Sequence, residues 1–539
     1  MTSRTMLVAY LRSLGVGQVQ QCGRAQDARQ RMETRGFDVV LCEQLLEDGS
    51  QGSDLIDDLR RLKLLSLCTV VIMLSSVSSR DVVSQVAESA LDGFLIKPYS
   101  TGALEERLMR AFQRKESLRE ILDAVEQERY ADGLQMCEAR FVERGPYWTH
   151  AARIGAELAL RKDNLVLASA MYDAVWADKA VPWAKLGLAR SLEASGQAAA
   201  AVSTIENLLA AEPAYADAYD VMGKIHVAEG DFEKAMNAYR IAVEITPTSV
   251  LRLQKFGMLA YYAGDQDTAL QALEQAARLG AGSPKFDRQA LLLMAFAKHR
   301  QGSEESLHSC RTLLHSVLAQ TADVGRQNPG AGTGTGTGAG AGASAAAVAT
   351  SQPPRLQRLT NAASAFLAIL DNDNLAAREK LDSLAAQRQK PEFDAEAATN
   401  LLSLLAVLRR CNVKVDAAPT WVRDIALRFC TNKQAIQMLV KACDEVVDHE
   451  AEVRKAATDL NQVTRDALGH SLAGQPRLAA EQLLDWGERT GNAKLLRDAA
   501  ATMARYRERI NDIEPLLERW KSLQERFRAD VTLPPITVV

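Results

Sequence analysis

Two different spacings of apolar residues divide this chain. Over residues 1–113, short helical patterns alternate with short continuous apolar runs. "SRTMLVAYLRSLG" sets Met6, Leu7, Tyr10, Leu11 and Leu14 at helical spacing and stops at Gly15, a natural left-handed helix end. "AQDARQRMETRG" is a second helix ending at Gly36, and "QVQQC" between the two is a short strand candidate. Three runs follow, "DVVLC", "TVVIML" and "GFLIKP", and each is apolar on both faces. Such runs fit strands of a parallel sheet covered by helices on each side, here "SDLIDDLRRLKLL" and "SRDVVSQVAESAL". The alternation predicts a doubly wound α/β domain.

Beyond it the strand signals vanish. Residues 114–146 read as a helical connector, and a longer period governs residues 147–300. The pairs Ile154/Gly155, Leu188/Ala189, Met222/Gly223 and Phe256/Gly257 recur every 34 residues. Gly196, Gly230 and Gly264 share that spacing, as do Ala201, Ala235 and Ala269, and Pro213 and Pro247. Small residues on facing helices let two antiparallel backbones approach, while glycine and proline end the helices. The stretch "AYDVMGKIHVAEGDFEKAMNAYRIAVEITP" looks like a tetratricopeptide repeat, through Tyr219, Met222, Gly223, Gly230, Ala235, Tyr239, Ala242 and Pro247. About four repeats are expected over 147–284, the first without the turn glycine, with "RYADGLQMCEARFVERGP" as a preceding half-repeat.

Residues 325–355 are dominated by Gly, Ala and Thr, with glycine at every second position rather than the third that collagen requires. Lacking bulky side chains, this tract is expected to be a flexible linker with an r.m.s. span of roughly 25 Å, enough for independent motion of what it joins. Residues 356–528 read as helix pairs of a second α-solenoid; "DALGHSLAGQPRLAAEQLLDWGERTGN" resembles a worn repeat through Leu468/Gly469, Gly474 and Ala479. "LERWKSLQERF" is a terminal amphipathic helix.

Composition narrows the function classes. A net charge of −4 gives no global pull toward nucleic acid, and no helix-turn-helix or basic domain follows the first unit, so no DNA-binding output is expected. No signal peptide and no long apolar run is present, which leads to the expectation of a cytoplasmic protein away from the membrane. The eight cysteines lack a CxxC pair and read as small buried hydrophobes; the seven histidines show no HExxH. No Walker loop, dinucleotide fingerprint or GxSxG occurs, so an enzyme is the least expected class.

The first domain resembles a response-regulator receiver domain, a flavodoxin-like α/β fold. In that family a strand like "FDVVLCE" ends in a phospho-accepting aspartate, a second ends in Thr or Ser, and a third carries an aromatic residue followed by Lys-Pro. The matching positions here are Glu43, Ser75, Phe94, Lys97 and Pro98. The resemblance implies phosphoryl transfer from a sensor histidine kinase, with Mg²⁺ held by an acidic pair and a two-state surface that responds to the phosphate. This chain departs twice. Glutamate at position 43 reaches one methylene, roughly 1.5 Å, further than aspartate. That misplaces the nucleophile yet brings fixed negative charge toward Lys97 and Ser75. Three readings follow: a built-in partial mimic of the phosphorylated state, an inert acid at a decayed site, or a site working through Asp48.

The second departure is that the strand carrying the acidic pair is not in this sequence. In the 2-1-3-4-5 order its absence would open a slot roughly 9.6 Å wide, so the expectation is a start at an internal methionine, with Mg²⁺ bound only if a longer form supplies the acids. As given, neither a metal nor a cofactor is expected. The architecture expected is a receiver-like domain with its first strand missing, followed by an all-α array of tetratricopeptide repeats whose groove captures a protein partner. A phosphate-independent response regulator is the leading functional expectation. A conventional phospho-accepting receiver and a non-signalling assembly scaffold are its rivals.

Overall fold

A computed structural model describes residues 3–47, 49, 51–76, 91–280, 286–327, 354–431, 433–443 and 447–527. The first unit contains α1 (Ser3–Ser13), α2 (Ala25–Thr34), β1 (Val39–Glu43), α3 (Gly52–Arg61), β2 (Val70–Ser75), β3 (Gly93–Ile96) and α4 (Thr101–Ser117). The strands pair in parallel in the order β1-β2-β3. Alternation along β2 builds two cores. Val70, Ile72 and Leu74 pack with Leu11 of α1 and with Leu104 and Leu108 of α4. Val71 and Met73 pack on the other face with Leu55, Ile56 and Leu59 of α3.

The three apolar runs are therefore the strands, as expected, and Gly15 takes φ 83° after α1. "QVQQC" is not a strand; the residues from Val16 to Cys22 carry no regular structure. β1 is consequently an edge strand among the described residues, and beside it lies a cavity of about 210 Å³ lined by Leu7, Cys22, Val39 and Leu41. The helix expected from "SRDVVSQVAESAL" and the acid Asp48 lie outside the described residues.

Helices follow: α5 (Arg119–Glu126), α6 (Tyr130–Glu143), α7 (Trp148–Arg161), α8 (Leu165–Lys179), α9 (Pro182–Ala194), α10 (Ala198–Ala211), α11 (Ala216–Glu229), α12 (Phe232–Ile245), α13 (Val250–Ala263), α14 (Gln266–Leu279), α15 (Gln289–Gln301) and α16 (Glu304–Gln327). The 34-residue pattern is the packing pattern. A Cβ on Gly223 would lie 2.8 Å from the Tyr239 ring, one on Gly257 2.7 Å from Leu273 Cγ, and one on Gly155 2.9 Å from Met171 Sδ. In each case a glycine of the first helix admits a large side chain from the second helix of its own pair. Ala189 holds that place in the remaining repeat and is fully buried, as are Ala201, Ala235, Ala242 and Ala269. Gly196, Gly230 and Gly264 turn the chain at φ 77°, 75° and 84°. The first repeat lacks this glycine and turns through Asp163 at φ 58°. Tyr219 and Met222 are half-buried, and Pro247 is exposed. Ion pairs tie consecutive repeats: Arg190 to Glu157 at 2.8 Å, and buried Arg252 to Asp217 and Asp220 at 2.8 and 2.9 Å.

The remaining helices are α17 (Pro354–Leu370), α18 (Asn374–Ala385), α19 (Ala395–Arg410), α20 (Ala418–Phe429), α21 (Lys433–Ala442), α22 (Val447–Leu472), α23 (Pro476–Thr490), α24 (Ala493–Arg505) and α25 (Glu514–Phe527). Here the expectation of independent motion is corrected. One continuous core runs from Leu270 in α14 to Leu523 in α25 and contains Cys310, Leu314 and Val317 of α16 beside Leu359 and Phe366 of α17. Phe296 stacks on Phe366 with ring centroids 4.8 Å apart, and Gln289 and Asn400 exchange buried amide hydrogen bonds at 2.8 and 3.0 Å. The Gly-rich tract thus connects two helices that lie against each other, whatever the span of a free chain of its composition. A second correction concerns "DALGHSLAG". Leu468 is exposed, and a Cβ on Gly469 would meet nothing, whereas Ala467 is buried. Gly474 does make its left-handed turn and Ala479 is buried, so the repeat resemblance holds at the turn and fails at the large-small pair.

The two units are joined by more than the chain. Asp92, its side chain 2% exposed at the entry to β3, accepts from Val71 N at 2.9 Å and pairs with Arg114 and Lys115 of α4 at 2.5 and 3.2 Å. His150 of α7 lies 3.4 Å from the Arg114 guanidinium, and the loop before β2 packs Leu67 and Cys68 against Ile121, Cys137 and Leu158. Burial, then Arg114, Arg153 and Lys179, push the His150 pKa down to about 4 against a weaker upward pull from Asp92.

Two outcomes are expected. Gly223→Val should lower the thermal midpoint of the helical circular-dichroism signal, since even limited overpacking of a helix contact costs about 1–3 kcal/mol. As pH falls from 6.5 towards 4 the unfolded chain protonates His150 and the folded chain does not, so stability falls over that window. His150→Gln should flatten that part of a denaturation-midpoint series against pH.

Candidate functional site

Because all three strands run in parallel, their carboxyl ends share one edge of the sheet. Glu43 ends β1, Ser75 ends β2, and Lys97 follows β3 with its N–H donating to Ser75 O at 2.8 Å. The register sets Glu43 opposite Leu74 and Ser75 opposite Ile96, which brings the predicted positions together. The Lys97 ammonium donates directly to Glu43 Oε1. This pair is half-exposed, with 24% of the Lys97 side chain and 37% of the Glu43 side chain accessible. It therefore adds little to stability, but it neutralises the lysine and fixes where its ammonium sits. Ser75 is buried, 2% exposed. Phe94 is half-buried on the sheet face of Met73, which by strand alternation is also the face of Ser75. The Lys97–Pro98 peptide is cis.

The neighbouring groups feel the fixed acid. Burial, and then the charge of Glu43, push the Cys42 thiol up to about 12, and the same two causes raise Tyr99. Sequence reasoning missed Gly52, which closes the site from below. Its N–H donates to Gln44 O at 2.7 Å, and a Cβ at this position would stand 2.1 Å from Glu43 O and 2.8 Å from Cys42 Sγ. The start of α3 is thus seated directly against the end of β1, which holds the Glu43 backbone in place. The available signal was Gly52, the second of two glycines between an acid-tipped apolar run and an amphipathic helix. Asp92 was also missed; it is the single acid entering the "GFLI" run.

The resembled family uses Mg²⁺, and the residues described do not fit that ion. The Glu43 carboxylate is engaged by Lys97, and Glu47 turns towards Gly23, whose oxygen accepts from Glu47 N at 3.1 Å. Among the described residues no group of three or more His, Cys, Asp or Glu side chains could hold a metal ion.

Comparison with known proteins covers both units. The family model of the response regulator receiver domain matches residues 1–109. The chain is 26% identical over 113 residues to chemotaxis protein CheY-3 of Vibrio cholerae, which covers 21% of this chain and 85% of that protein. It is 26% identical over 116 residues to chemotaxis protein CheY of Pseudomonas aeruginosa, 21% of this chain and 90% of that one. Among solved structures it is similar to MamA protein, with 17% identity and a TM-score of 0.28 over 34% of this chain and 98% of that one. It is likewise similar to yeast Tom70, with 12% identity and a TM-score of 0.18 over 71% and 92%. Overlaps this loose leave the helical fold to rest on its own 34-residue packing. Residues 1–109 match the receiver domain, and α7–α14 pack with the 34-residue period of the tetratricopeptide type.

Gly52→Ala should displace the start of α3 from β1. A loss of about 1–3 kcal/mol is expected, read as an earlier denaturation midpoint together with faster hydrogen exchange at residues 39–43 and 52–61.

Proposed function

We propose that this protein is a non-enzymatic response regulator whose receiver works without phosphate and whose output is capture of a protein partner by the helical repeats. The observation that carries the reading is the ion pair between Lys97 and Glu43. A phosphoacceptor aspartate is a carboxylate too, so what sets this site apart is that a glutamate holds the position and pairs directly with Lys97. Ser75 and Phe94 share one sheet face at the same carboxyl edge, and strand alternation sets Glu43 and Lys97 on the other. The link to the output is physical: β3 leads into α4, and Asp92 binds α4 to the sheet while Arg114 meets His150 of the first full repeat.

Partner capture is supported by the array itself. Stacked helix pairs build an extended concave surface from side chains of successive first helices. No helix among the described residues is long and apolar enough to cross a membrane. A place in phosphorelay-type signalling fits the resemblance to chemotaxis receivers, with the signal read as the state of the Glu43 site and the response delivered by the repeats rather than by contact with DNA.

Incubation with acetyl phosphate and Mg²⁺ should produce no stoichiometric mass gain of one phosphoryl group, and such a gain would overturn the proposal. Glu43→Gln should release Lys97 and speed hydrogen exchange across residues 93–117. A decayed site would leave exchange there at the wild-type rate.

A further inference from the structure

Where α7, α8 and α9 meet, two guanidinium groups lie near one carboxylate, and the carboxylate serves only one of them. Glu157 Oε1 accepts from the Tyr172 hydroxyl and from Arg190, both at 2.8 Å, and Oε2 accepts from Arg190 at 3.3 Å. Arg153 stands one turn before Glu157 on α7. It is half-buried and lies over the Trp183 ring of α9, 4.8 Å from the centroid. Among the described residues no carboxylate pairs with Arg153 and no acceptor meets its N–H groups.

The stack is held in place. The Tyr172 ring meets Trp183 edge-on with centroids 6.4 Å apart, and Tyr172 is seated against α9 at Gly187, where a Cβ would stand 2.3 Å from its ring. A guanidinium stacked by its face keeps its N–H fork at the edge, the geometry that a carboxylate matches with two parallel hydrogen bonds. Burial lowers the Arg153 pKa against the upward pull of Tyr172, Glu157 and Tyr215, so an added anion would offset a cost that the neighbouring groups leave standing.

Placement says what kind of ligand can reach it. Arg153 and Trp183 belong to the first helices of successive repeats, whose side chains build the concave surface of such an array. Three 34-residue periods on, Lys255 of α13 holds the place of Arg153; it is exposed, lies over the Tyr239 ring, and meets no carboxylate among the described residues. Acids on the first helices between them are engaged: Glu193 with Lys224, and Asp217 and Asp220 with Arg252. Cations without contacting acids thus stand at both ends of this wall.

We propose that the concave face of α7 and α9 anchors an acidic segment of a partner polypeptide, with an aspartate or glutamate carboxylate received by the Arg153 fork beside Trp183. This rests on the reading of the array as a surface that captures a protein, and it names the chemistry of what is captured.

Fluorescence anisotropy of end-capped, labelled hexaglutamate on the full chain at low salt, with hexaglutamine as its neutral counterpart, reads the preference. Hexaglutamine should bind at least about tenfold more weakly than hexaglutamate, and Arg153→Gln should cost hexaglutamate about tenfold. Arg107→Gln, which removes the same charge from the exposed face of α4, should leave the affinity unchanged. Hydrogen exchange on the unaltered chain needs no variant: hexaglutamate should slow exchange over residues 148–161 and 182–194. No binding of hexaglutamate, equal binding of the two peptides, or equal losses from Arg153→Gln and Arg107→Gln would overturn the proposal. So would protection confined to other helices, which would keep the array as a capture surface and put its anchor elsewhere. Tighter, Arg153-dependent binding of an oligothymidylate would also overturn it, indicating a single-stranded nucleic acid stacked on Trp183. None of these readouts depends on Glu43, so the reading of the receiver stands or falls separately.

Discussion

A buried carboxylate fixes the helix through which the two units of this protein are joined. The Asp92 side chain is 2% exposed and is satisfied by a backbone N–H of β2 and by two cations of α4. A charge so placed is tolerable only while every partner stays in position, since removal of one leaves the others desolvated and unpaired. The same Arg114 that neutralises Asp92 reaches His150 in the first full repeat. Lys115, whose pKa burial lowers against the pull of Asp92, also donates to Leu67 O at 2.5 Å, just before β2. Sheet, connecting helix and repeats are thus fastened through one cluster of groups.

The ion pair at the sheet's carboxyl edge is of the opposite kind. Glu43 and Lys97 are half-exposed, so water screens them and their worth is positional rather than energetic. What makes the pair informative is its setting: a buried serine on the adjacent strand, a half-buried ring on the same face, and a helix start seated so tightly that only glycine fits. The backbone at this edge is held rigidly, while the charge it presents is fixed by the choice of glutamate.

The helical array shows how short-range and long-range packing differ in what they leave in a sequence. Within a repeat, a glycine on one helix and a large side chain on the next must coincide, and that requirement recurs with the chain period, as at Gly223 with Tyr239 and Gly257 with Leu273. Between the halves no such period operates. Tyr261 meets Ser403 at 3.2 Å, and Lys441 caps Ala263, through contacts that each occur once. A tract without bulky residues then reads as a free tether even though the helices on either side of it share one core.

Sequence alone determined the strands, the repeat helices and their turns, and the gathering of Glu43, Ser75, Phe94 and Lys97 at one strand edge, because each follows from local periodicity or from parallel strand order. It also marked the departure at position 43, since one methylene is a property of the residue itself. The tertiary structure decided the rest. "QVQQC" forms no strand, and Leu468/Gly469 lost its packing role to Ala467 because the contact surface of a helix depends on what lies beside it. Gly52 and Asp92 are ordinary letters until the fold sets one against a strand end and buries the other among cations. Whether two helical halves move apart or share a core is settled by contacts between residues far apart in the chain, and no local pattern encodes these.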